Sequence, residues 1–143
     1  MSTVDRDSEH LRLLSIFHYI YAGVNAAYAL LPLIHVCIGT VFLAASISGG
    51  FGKEGPPAFA GLLFILIGGA IMTFGLAHAA LNFFAARFIA AREHYVYCFV
   101  VAVLNCICVP LGTILGIFTI IVLTRESVKA LFGRTAAHPP PPR

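Results

Sequence analysis

The stretch AFAGLLFILIGGAIMTFGLAHAALNFF, residues 58–84, contains no Asp, Glu, Lys or Arg. A spanning helix needs about 20 apolar residues, and lipid offers no partner for backbone N–H and C=O groups, so a stretch of this kind is read as a helix that crosses a bilayer. It does not stand alone: charge is also missing from Leu13 to Gly52 and from His94 to Thr124, and the central charge-free tract itself runs from Gly55 to Ala86. A water-soluble domain needs charged faces on its surface helices, and these tracts have none to offer.

The whole composition agrees. Of 143 residues, 59% are hydrophobic and 10% are charged, against about 25% charged in soluble domains. The net charge of +3 gives no field suited to nucleic acid. Asp5, Asp7 and Glu9 precede the first apolar run, which does not fit a cleavable signal peptide, so the N-terminal segment is expected to be retained. Cys37, Cys98, Cys106 and Cys108 lie inside apolar tracts without C-x-x-C spacing and read as small packing residues.

The expected fold class is an all-α membrane protein, a small helical bundle of four transmembrane helices preceded by an N-terminal interfacial amphipathic helix. That interfacial helix covers about 8–21, with a bend near Gly23 and a first span over 23–46 that is kinked at Pro32. The Gly/Pro-rich connector around Lys53 and Glu54 separates it from a second span over 58–84. The third tract is too long for one upright crossing, and Pro110-Leu111-Gly112-Thr113 suit a turn, which divides it into spans over 90–109 and 113–124. This hairpin places Arg6, Arg12, Arg87, Arg92, Arg125, Lys129, Arg134 and Arg143 on one side and only Lys53 on the other, so the positive-inside rule makes both termini cytoplasmic. A three-span chain, with 95–123 as a single kinked crossing, is the alternative, and a turn at Leu30-Leu31-Pro32 is a rival split. Residues 1–133 form one membrane domain, and 134–143 form a Pro-rich tail inclined to polyproline II.

The motif HLRLLSIFHY at residues 10–19, with PLGTILGIFT at 110–119 and Ser127 to Phe132 behind it, resembles an uncharacterised family of small polytopic bacterial inner-membrane proteins. The resemblance implies a multi-pass protein of the bacterial inner membrane, with the connector carrying Arg87 and Arg92 in the cytoplasm. It implies no activity and no binding residues. His18-Tyr19-Ile20-Tyr21 and His94-Tyr95-Val96-Tyr97 echo one another, and an aromatic belt at the membrane interface accounts for both.

Gly61, Gly68 and Gly75 recur at seven-residue spacing and Ala79 continues their face, a line of small residues that lets another helix approach closely. Polar groups at membrane depth are functional candidates: His18, Asn25, His35, His78, Asn82 and Asn105. Asn25, His35, His78 and Asn82 are expected to lie between the first two spans, joined by interhelical hydrogen bonds. Two sharper readings compete with that one. His35 and His78 could ligate a b-type haem as in an electron-transfer or quinone-associated subunit, and the His and Asn residues could line an oligomeric channel or transporter. No carboxylate pair, catalytic triad order or phosphate cradle points to an enzyme. The leading expectation is a non-enzymatic protein, without cofactor, that works by association in the lipid bilayer with a membrane-protein partner or with copies of itself.

Overall fold

A backbone whose amides must find partners inside the chain can use its own i→i−4 ladder, and tracts of Ala, Leu, Ile and Phe do so readily. The computed structural model describes the backbone of residues 3–50, 58–108 and 110–137 and the side chains of 6–50, 58–108 and 110–133. These residues form the helices α1 (Thr3–Ala29), α2 (Leu33–Ile47), α3 (Ala58–Ala91), α4 (Tyr95–Ile107), α5 (Leu111–Leu123) and α6 (Glu126–Ala137), with no strand among them. The protein is all-helical.

The bend expected near Gly23 does not occur: α1 runs through Gly23 to Ala29, so no separate interfacial helix ends at residue 21. A single glycine weakens a helix by about 1 kcal/mol without removing a hydrogen bond. Proline removes one, and the interruption falls at Leu30 to Pro32. There the ladder tightens, with Leu30 N–H donating to Ala27 O at 3.2 Å and Leu31 N–H to Tyr28 O at 3.1 Å. The chain does not reverse at this point, because 6–47 remains one candidate crossing of 42 residues. The helix is interrupted at Pro32 as the proline suggests, and the rival hairpin there is absent.

Helix α3 extends past Arg87 to Ala91 and closes with two bonds, Arg92 N–H to Ile89 O at 3.2 Å and Glu93 N–H to Phe88 O at 2.9 Å. This is a Schellman end, in which the residue beyond the cap is left-handed. That residue is Arg92, φ 58°, and His94 follows at φ 50°. Because two left-handed residues fill the connector, α4 starts at Tyr95 instead of the expected position 90. The hairpin at Pro110 is present, and α4 and α5 pack against one another across it. Each is 13 residues long, about 20 Å against roughly 30 Å of hydrocarbon.

Four full crossings were expected, and the lengths do not supply them. Among the described residues two helical segments are long and apolar enough to cross; a third counts only if α5 and α6, bent by 77°, are one broken span; α4 is a shorter apolar helix. The last helix runs to Ala137, beyond the expected domain end at 133, and the prolines of the tail lie outside the described residues.

The expected single domain divides into two compact units, residues 1–23 with 80–143, and residues 24–79. The first has a core of Leu11, Leu14, Ile89, Cys98, Leu123 and Val128. The second has its contacts along one seam, described below. In both, large apolar side chains point outward: Phe74 is 78% exposed and Ile107 75%. Apolar surface on this scale is incompatible with water and matches a hydrocarbon surround.

Candidate functional site

The small-residue line on α3 is a contact surface within the unit 24–79. A Cβ placed on Gly61 would lie 2.7 Å from Leu43 N and 2.8 Å from Gly39 O; on Gly68, 3.1 Å from the His35 Cβ; and on Gly75, 2.7 Å from the Ala29 Cβ. These distances leave no room for side chains, so the helices meet backbone to backbone. Ala79 is buried at the end of the same line. On α2, Gly39 is the reciprocal position, since its own Cβ would meet Gly61 O at 2.7 Å.

The two histidines of the haem reading lie at different levels of α3. His35 lies against Gly68 and stacks its ring on Phe64 at a centroid distance of 6.1 Å, on an exposed face. His78 stands ten residues further along α3 than Gly68, about 15 Å along the axis. The two histidines therefore stand at different depths along α3, and no contact joins His35 to His78 among those described. No cluster of three or more His, Cys, Asp or Glu suited to a metal occurs among the described residues. Asn25 is half-buried and both it and His78 have interaction partners.

Asn82 was expected beside Asn25, His35 and His78, and it belongs instead to the other unit. Its Nδ2 donates to Asn105 Oδ1 at 3.1 Å, and Asn105 Nδ2 donates back to Asn82 Oδ1 at 2.7 Å. Both side chains are fully buried. The signal for this pair was present in the sequence: Asn82 stands 11 residues before Glu93 and Asn105 stands 12 after it. Antiparallel helices joined at that connector bring the two level, and a buried amide in lipid needs a partner.

Further polar ties surround the pair. Ser15 Oγ donates to Ala86 O at 2.8 Å, Tyr97 Oη to Leu81 O at 3.2 Å, and Tyr95 Oη to Leu123 O at 3.1 Å. Gly112 and Gly116 let α5 approach α4, since a Cβ on Gly112 would lie 2.6 Å from Asn105 O, and one on Gly116 would meet Ala102 O. His18 is fully buried on the α1 face that also carries Leu11, Leu14, Ser15 and Ala22. Its Nδ1 lies 3.0 Å from Leu14 O, which places the proton on Nδ1 and the lone pair on Nε2. That Nε2 is buried without a hydrogen-bond partner among the described residues.

Ahead of the charge-free tract, outside the part that lies in lipid, Asp7 ties α1 to the start of α6. The Ser127 hydroxyl and the Arg125 guanidinium hydrogen-bond to its carboxyl and hold it below the usual carboxylate range against the opposing effect of burial. The Arg125 Nη1 donates to Asp7 Oδ1 at 3.3 Å. The chain matches no known protein family, no curated protein and no solved structure.

Proposed function

We propose that this chain is a non-enzymatic protein of a bacterial inner membrane that works by association, as an accessory or assembly subunit of a larger complex or as a homo-oligomer. The observation that carries this reading is a groove on α3 on a different face from the glycine seam. Gly69, Ala70, Thr73 and Ala77 form its floor, between Leu66 and Phe74. A Cβ on Gly69 would meet nothing within 4 Å, so the described residues leave the groove unfilled. The Thr73 hydroxyl donates to Gly69 O at 2.8 Å and needs no outside partner. Small residues at i, i+4 and i+8 admit a second helix at short distance, and such residues are enriched where helices meet in lipid. Of the most apolar windows of the two long crossings, only 6% and 11% is buried by the rest of the chain.

The inner-membrane placement and the cytoplasmic termini rest on the family resemblance and on the positive-inside rule. In support, Arg6, Arg12, Arg87, Arg92, Arg125 and Lys129 all belong to one compact unit.

Native mass measurement of the purified chain, with identification of whatever co-purifies, tests the reading. The wild type is expected as an oligomer or with a stoichiometric partner, and a folded monomer alone overturns the proposal. Gly69→Leu with Ala77→Leu is expected to abolish the association while leaving the helical circular dichroism unchanged. A stoichiometric haem absorption band would replace association with electron transfer. A reporter fused after Phe132 is expected to report the cytoplasm, and a periplasmic signal refutes the proposed orientation.

A further inference from the structure

Arg12 is the last charge before one apolar tract, and Arg92 stands two residues before another. Both line a single cavity of about 540 Å³ within the unit of residues 1–23 and 80–143. Its α1 wall is one helical stripe in which Arg12 is followed by Ser15, Ile16 and Tyr19, and Ile89 belongs to its α3 wall. Among the described residues no carboxylate lines it. The ion pairs among the described residues are Arg125 with Asp7 and Lys129 with Glu126, so neither Arg12 nor Arg92 has an acidic partner there. The Tyr19 ring is held edge-on to Phe83 at a centroid distance of 5.3 Å. Arg92 occupies the left-handed position of the α3 end, where glycine is the usual residue and any side chain is strained. Strain of this kind concentrates where a side chain is held for a purpose.

We propose that this cavity binds the phosphate headgroup of an anionic glycerophospholipid, with Arg12 and Arg92 as its cationic ligands and the apolar stripe through Ile16 as the track of an acyl chain. Two guanidiniums without an acidic partner among the described residues leave a positive field that a phosphate diester neutralises through paired N–H···O bonds. Their place at the edge of the charge-free tracts is the depth at which lipid phosphates lie. The apolar wall favours a lipid over free phosphate, which would use the arginines alone. The site requires that the chain lie in a bilayer and does not require that it associate.

Native mass spectra of the full chain in detergent decide the matter, recorded with phosphatidylglycerol, with phosphatidylcholine of the same acyl chains, and with inorganic phosphate. Phosphatidylglycerol adducts are expected to exceed phosphatidylcholine adducts by about tenfold. Arg12→Gln with Arg92→Gln is expected to bring the two lipids level, while Arg87→Gln, outside the cavity, leaves the preference intact. Equal adducts of both lipids on the wild type overturn the proposal, and so does an Arg87→Gln effect as large as that of the pair, which would indicate a diffuse basic surface. Displacement of phosphatidylglycerol by millimolar phosphate assigns the cavity to a free anion and overturns the lipid. If the double variant loses its monodisperse peak, the three wild-type spectra still decide.

Discussion

The unit of residues 24–79 is held together by what its helices lack, and the unit of residues 1–23 and 80–143 by what its helices carry. In the first, Gly39, Gly61, Gly68 and Gly75 remove side chains so that backbones touch. In the second, Asn82, Asn105, Ser15 and Tyr97 reach between helices with hydrogen bonds. Lipid tails are as apolar as leucine, so burying a leucine between two helices gains little. Either close contact or a hydrogen bond must supply the difference, and this chain uses one mode in each unit, with glycine added in the α4–α5 hairpin. The modes differ in how they fail: a glycine seam breaks on adding a methyl group, a polar tie on removing an amide.

The largest effect is expected at the seam. Gly61→Val should destabilise the fold by about 2–3 kcal/mol, because the new side chain meets the α2 backbone, which cannot rotate away. Gly69→Ala, with open space around it, should leave unfolding in denaturant unchanged or raise stability slightly. If both substitutions behave alike, the seam is not what holds that unit. Asn82→Ala comes next, at about 1–2 kcal/mol, since it leaves the Asn105 amide buried and unpaired. Asn82→Leu with Asn105→Leu should cost less than the sum of the single substitutions, and strict additivity would show that the two amides do not act as a pair.

A gain is expected from Arg92→Gly, about 1 kcal/mol from relief of the left-handed strain, together with loss of the phosphatidylglycerol preference. A more stable variant that keeps the lipid would separate the strain from the site. The smallest effect belongs to Asp7. Its folded pKa is depressed, so its contribution is present above the unfolded value of about 3.9 and is lost as pH falls through the lower folded value. Asp7→Asn should therefore cost under about 1 kcal/mol at neutral pH, where Arg125 is partly solvated, and nothing further in strong acid. An equal Asp7→Asn difference at pH 7 and pH 2 would remove the carboxylate from the account.

Much of the fold could be read in advance because charge and proline act locally. The charge-free tracts gave helices, Pro32 gave the break in the first long crossing, Pro110 gave the hairpin, and the spacing of Gly61, Gly68 and Gly75 gave the seam. What escaped depends on partners distant in sequence or on backbone angles that composition does not encode. Gly23 bends nothing because no hydrogen bond is missing there. Helix α3 continues past Arg87 because a long basic side chain can carry its charge outward while the backbone stays helical. Arg92 and His94 adopt angles usually left to glycine or asparagine, and that choice shortens α4. Of the candidate polar residues, Asn82 and Asn105 found each other, whereas His35 and His78 were grouped by residue type without regard to their depth along the helices.

The short arms of the α4–α5 hairpin also constrain how the chain is made. With 13 residues, α4 falls well below the roughly 20 that a nascent segment needs to leave the translocon as a free-standing crossing. Its turn is tied across by Thr113 Oγ1, which donates to Cys106 O at 3.0 Å, so the two arms are bonded to one another as well as joined through the turn. The first of those arms supplies Asn105, which exchanges two amide hydrogen bonds with Asn82 of α3. A chain truncated before Asn105 keeps α3 but loses both of these bonds.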